Sequence, residues 1–146
     1  MFSQTMEYAL RAVVCLAQNA GKPLTTRQAS VITHVPANYL SKVLQQLGRA
    51  GLIAAVRGVG GGYTLSQPAI EVSILQVINA IDPLKRIKRC PLGVASHGKK
   101  LCPLHHRLDR VLADAEKAFA TTTIAELLAD PSRSTPLCEA GRARHR

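Results

Sequence analysis

Residues 25–65 read TTRQASVITHVPANYLSKVLQQLGRAGLIAAVRGVGGGYTL, and the punctuation of this stretch decides the fold. Thr25-Thr26-Arg27-Gln28 has the form of a capping box: the threonine hydroxyl caps the first turn and the glutamine reaches back to it. A short helix to about Thr33 follows, with His34-Val35 as the turn. Pro36 suits the first position of the next helix, where its missing N–H costs nothing. Leu40, Val43, Leu44 and Leu47 then fall on one helical face, and Ala50-Gly51 ends the run. Two apolar segments, 52–56 and 63–65, flank the glycine-rich turn Arg57-Gly58-Val59-Gly60-Gly61-Gly62, the pattern of a β-hairpin.

Working outward, residues 4–20 carry Met6, Leu10, Val13 or Val14, and Ala17 at helical spacing, ended by Gly21-Lys22-Pro23. Residues 71–81 predict another helix, with Ile74, Val77, Ile78 and Ile81 on one face and Asp82-Pro83 as its stop. Helix, short helix, turn, helix, hairpin is the order of a winged helix-turn-helix. The expected fold class is therefore mainly α with a small β-hairpin wing, joined to a long C-terminal dimerisation helix. Residues 83–100 show no apolar period and read as a loop. From Leu101 onward Leu104, Leu108, Val111, Ala115 and Ala118 recur every 3.5 residues, a coiled-coil seam that predicts pairing with a second copy. Thr123-Ile124-Ala125-Glu126 is a second capping box, opening a short last helix. The expected division is a DNA-binding domain at 1–82, a cysteine-bearing sensor loop at 83–100, the dimerisation helix and last helix at 101–130, and a disordered tail at 131–146.

The 146 residues are 47% hydrophobic and 3% aromatic, which suits a small core of aliphatic side chains. A formal net charge of +10 calls for an anionic partner. No apolar run reaches the ~20 residues of a membrane span, and no helix joins a strongly basic face to a bulky apolar one, so no membrane role is expected. The opening Met1-Phe2-Ser3-Gln4 lacks the basic and apolar regions of a secretory signal. A cytoplasmic protein is expected, whose four cysteines are thiols or metal ligands rather than structural disulfides. There is no phosphate loop, nucleophile elbow or Cys-x-x-Cys pair, so an enzyme is not expected.

In a helix-turn-helix the second helix enters the major groove by its N-terminal end. Asn38, Ser41 and Lys42 point outward if Leu40, Val43 and Leu44 point in, and Gln45, Gln46 and Arg49 continue that polar face. Asn pairs with adenine and Ser contacts several base edges. Arg57 stands just before the hairpin tip, where a cation can enter a minor groove, and the glycines let the tip approach the backbone closely. The expected partner is double-stranded operator DNA, bound by a homodimer.

The stretches MEYALRAVVCLA, YLSKVLQQLGRAGLIAAVRGVGGGYTLS and ILQVINAID resemble the Rrf2 family of winged-helix transcription regulators, which includes iron–sulfur-cluster and nitric-oxide-sensitive members. The resemblance covers roughly residues 1–130. It implies a homodimer with crossing C-terminal helices, and DNA-contact positions at Asn38, Tyr39, Ser41, Lys42 and Arg57; the full expected DNA-binding set adds Thr26, Pro36, Gln45, Arg49, Gly60 and Gly61. Pro36 stands where relatives often have Ser, so base preference does not carry over.

Cys90, Cys102 and His105 lie between the reading head and the long helix, and thiolate and imidazole suit iron–sulfur clusters or zinc. Residues 83–110 hold eight Lys/Arg against one acid, Asp109. Positive charge of this kind favours thiolates. Cluster-binding relatives carry three cysteines six apart, with a His three residues after the last. Here positions 90 and 102 keep Cys, His105 matches the His, and the middle position is Ser96, beside His97. The resemblance implies an iron–sulfur cluster, 2Fe-2S ahead of 4Fe-4S, held by Cys90, Cys102 and His105, with His97 and the partner subunit's Glu7 as further candidates. Three other readings stay open: a metal-free thiol switch, a small-molecule-responsive regulator without cofactor, and a protein-interaction dimer that touches DNA weakly. Cys15 reads as core and Cys138 as a bystander.

Overall fold

The computed structural model describes residues 2–97 and 100–137; Cys138 and the rest of the expected tail lie outside the described residues. Six α-helices and one hairpin follow in the order α1 (Gln4–Gln18), α2 (Thr26–Thr33), α3 (Ala37–Arg49), β1 (Ile53–Val56), β2 (Gly62–Leu65), α4 (Ile74–Ile81), α5 (Pro103–Thr121) and α6 (Ile124–Ala129). The arrangement is a winged helix-turn-helix.

α1, α2 and α4 each begin where a side chain satisfies a free amide, whereas α3 has no side-chain cap. Ser3 accepts from the Met6 amide at the start of α1. Thr25 and Gln28 form the complete capping box of α2. His34 then turns the chain in the left-handed region, at φ 57°. Pro36 is the residue before α3 rather than its first helical residue, and its carbonyl accepts from the Tyr39 and Leu40 amides. The helix expected at 71–81 begins later. A single 3-10 turn spans Ala69–Glu71, and Ser73 with Gln76 builds a capping box that starts α4 at Ile74.

The core lies between α1 and α3, where Val13, Cys15, Leu40, Leu44 and Leu47 are fully enclosed with Val77 of α4. β1 and β2 pair antiparallel from Ile53–Leu65 to Val56–Gly62. Tyr63 also pairs with Leu24, so the wing is tied by two backbone hydrogen bonds to the segment entering α2. Gly62 makes this possible: at φ 146° a Cβ would collide with the Leu24 carbonyl.

Two features change the expected division. The last helix belongs to the head: Ile124 is fully buried in the core, its amide donates to Val72, and the Ile74 amide donates to Thr122. The chain therefore leaves the head after Ile81, runs through the loop and α5, and returns. The expected tail also starts with packed residues, since the Pro136 carbonyl accepts from Gln18 and Leu137 rests against the core. Among the described residues no helix is long and apolar enough to cross a membrane.

Candidate nucleic-acid interface

The head presents polar residues on α3 and on the wing. Leu40, Val43, Leu44 and Leu47 take the buried side of α3. This leaves Pro36, Asn38, Tyr39, Lys42, Gln45 and Arg49 exposed and Ser41 half-buried. Tyr39, Lys42, Gln45, Gln46 and Arg49 line an open cleft of about 390 Å³ with Thr5 of α1. On the other side of the motif, Lys22, Thr25 and Gln28 line a cleft of about 300 Å³ with Gly58, Gly60 and Gly61 of the wing. Arg57 is exposed at the wing, Val59 stands fully in solvent at its tip, and Thr26 is half-buried. The predicted residues thus form two groups, one on α3 and one where α2 meets the wing. Thr5 and Lys22 were not foreseen. The bridge that brings Lys22 toward the wing joins residues 39 positions apart and leaves no local signal, although the Gly60-Gly61-Gly62 run marks a close backbone approach.

The sequence profile of the Rrf2 family, described as iron-dependent transcriptional regulators, matches residues 2–130. The chain belongs to the Rrf2 family. It is 31% identical to the HTH-type transcriptional repressor NsrR of Streptomyces coelicolor, over 86% of each chain. Among solved structures it resembles IscR of T. potens (TM-score 0.76, 21% identity, 92% of each chain). It also resembles CymR, the global cysteine regulator of B. subtilis (TM-score 0.73, 21% identity, 87% of this chain and 95% of that one). An Rrf2 protein is a DNA-binding transcription regulator and not an enzyme.

In this Rrf2 chain the cysteines fall into three environments. Cys15 is fully buried, and desolvation pushes its thiol up to about 11. Cys90 opens the tight turn of the loop, where its carbonyl accepts from the Gly93 amide. The backbone amides of Val94 and Leu92 and the His97 side chain hold its thiol below the ordinary value. Among the described residues these amides and His97, rather than the Lys and Arg side chains expected to activate the thiols, lower it. Cys102 precedes α5, which begins at Pro103 rather than Leu101, and its Sγ lies 3.3 Å from Nδ1 of His105.

Of the expected ligand set, Cys102 and His105 are in contact, while the Cys90 thiol is set by backbone amides of its turn and by the His97 side chain. Glu7 is engaged elsewhere, accepting from Arg11 at 3.0 Å, while Arg11 also donates to the Thr33 carbonyl. Among the described residues no three His, Cys, Asp or Glu side chains converge as a metal site requires. The described donors of one chain thus do not by themselves fit an iron–sulfur cluster, which takes four ligands.

One contact in this region was invisible to the pattern of the sequence. Arg86 grips Asp109 of α5 in a fork, with both N···O distances 2.7 Å, and the Ile87 amide donates to the same carboxylate at 2.9 Å. The guanidinium first, and then the Ile87 amide, bring the Asp109 carboxyl down to about 2. The loop is thereby fastened to the long helix four residues before Cys90.

Proposed function

We propose that this chain is a homodimeric cytoplasmic repressor. It reads operator DNA with the N-terminal end of α3 and the Arg57 wing, and releases DNA when the loop thiols change state. The observation that carries the reading is the division of α3. Its apolar side is enclosed and its polar side stands free, and the wing's Arg57 is exposed as well. Asn38 and Lys42 have the chemistry to read base edges, and Arg57 that to enter a minor groove. The 31% identity to a repressor supports repression.

Dimerisation rests on α5, where Leu104 and Val111 are each 62% exposed and Leu108 47%. An apolar seam this open on one copy needs a second to cover it. A two-fold dimer then offers two reading helices to half-sites about 34–36 Å apart. Cys90 and Cys102 bracket the connection between head and seam, and the Asp109 fork links them mechanically. A change at either thiol that the two arrangements tolerate unequally shifts the dimer's hold on DNA.

The family's iron-dependent description favours a second reading, in which donors of two subunits together hold a cluster. One experiment separates the two. Full-length protein purified without oxygen is assayed for iron, sulfide and visible absorption. It is then titrated with operator DNA before and after alkylation of Cys90 with iodoacetamide. The thiol reading expects colourless protein and a 5–150-fold change of affinity, the usual span of such couplings. Brown protein with iron and sulfide replaces it by the cluster, and equal affinities remove the switch.

A further inference from the structure

The positive charge of the chain is not where the reading head is. Residues 1–82 carry six Lys/Arg against three Asp/Glu, whereas residues 83–110 carry eight against one. That single acid, Asp109, is committed to the Arg86 fork. Among the described residues the only other ion pair is Arg11 with Glu7, so Lys88, Arg89 and Lys100 meet no acidic partner, and all three are exposed. Because Arg86 and Ile87 are bound to Asp109, this part of the loop is held at the turn of α5 that carries the exposed Arg107 and Arg110, which share a cleft with Asp114 of the next turn. The segment that holds Lys88 and Arg89 is thus fastened to a basic helix start. Like charges held together this way destabilise a chain unless an anion meets them.

From this placement, and resting on the DNA-binding reading above, we propose that the 83–110 surface is a second phosphate-contact site, separate from α3 and the wing, which grips DNA flanking the operator core. The head tethers this surface beside a polyanion, so the contacts form at high effective concentration. Its side chains have no base to read: lysines and arginines on an irregular loop neutralise phosphates, which adds affinity without sequence preference. The flank therefore contributes through charge alone, and its contribution fades with salt.

The test uses the full chain and the shortest duplex recovered by selection from random-sequence DNA. A second duplex carries about 10 further base pairs, one helical turn, on each side. Affinity is measured across a salt series for the unmodified protein and for the triple variant Lys88→Glu, Arg89→Glu, Lys100→Glu. On the longer duplex the unmodified protein gains affinity, and its log–log salt slope steepens by about 0.9 for each phosphate met, up to about 5 for the two trios of the dimer. The variant loses that gain, keeps its affinity for the core duplex and keeps its melting temperature. Equal salt slopes for the two proteins on the longer duplex overturn the proposal and leave these cations to an acidic protein. No gain from the flank in the unmodified protein overturns it as well. Failure to recover any preferred duplex sinks the DNA reading itself, a different and recognisable outcome.

Discussion

In the head, α1 and α3 bury Val13, Leu40, Leu44 and Leu47 completely, and α6 returns to add Ile124. Along the 19-residue α5, no residue is buried and the apolar seam lies open. The head finds its own core within one chain and leaves a polar surface free for DNA. The arm leaves its apolar stripe open in one chain, which on the proposed reading a second copy covers, and it is held to the rest by the charged fork and by Phe119 against Phe2. The proposed function assigns stability to the first region, and association and response to the second.

The largest test of that contrast is removal of core volume. Leu47→Ala should lower the unfolding free energy by about 2–5 kcal/mol, seen as a lower urea midpoint, because a fully enclosed leucine leaves a cavity. A surface-like change below about 0.5 kcal/mol would break the account of the head. Leu108→Ala should instead leave the head folded and weaken association at least about tenfold in sedimentation, since a leucine buried at an interface contributes about 1.5–3 kcal/mol. A changed melt with unchanged association would reverse the assignment of the two regions.

These two leucines also show what was legible in the sequence. Helical period alone put Leu47 in a core and Leu108 on a seam, because both depend on neighbours three and four residues away. The Thr25 and Thr123 capping boxes were readable for the same reason. Ser73 and Gln76 carry an equally local signal, but Glu71 and Val72 before them prolonged the apparent period and hid it. The return of α6 was not readable, because Ile124 pairs with Val72 across 52 residues. The loop was least legible. Spacing of Cys90, Cys102 and His105 points to one ligand set, whereas the structure puts His105 against Cys102 and sets the Cys90 thiol first by a backbone amide of its own turn.

Smaller effects sharpen the picture of the arm. Asp109→Asn removes the charge that Arg86 holds, and the Ile87 amide should lose protection in hydrogen exchange at neutral pH. In the unmodified chain the carboxyl stays ionised well below its ordinary 3.8. The fork's contribution is thus complete above that value and disappears as pH falls through about 2. Protection of Ile87 that is the same in both proteins would show that the fork does not fasten the loop.

The slightest change concerns a single thiol. Cys90 should be alkylated at lower pH than an ordinary cysteine, and Cys15 should react last because it is enclosed and its thiol is raised to about 11. His97→Ala should move the Cys90 midpoint upward in a mass-spectrometric pH series. An unmoved midpoint would leave only the Val94 and Leu92 amides to explain the shift.

The central claim is that the free face of α3 and the wing read DNA. Its most direct test is the affinity of Asn38→Ala and Arg57→Ala for the selected operator at fixed salt, beside their melting temperatures. Each should lose about 1–3 kcal/mol of binding with relaxed preference at its own base step and an unchanged melt. Unchanged affinity and unchanged base preference in both variants would contradict the claim.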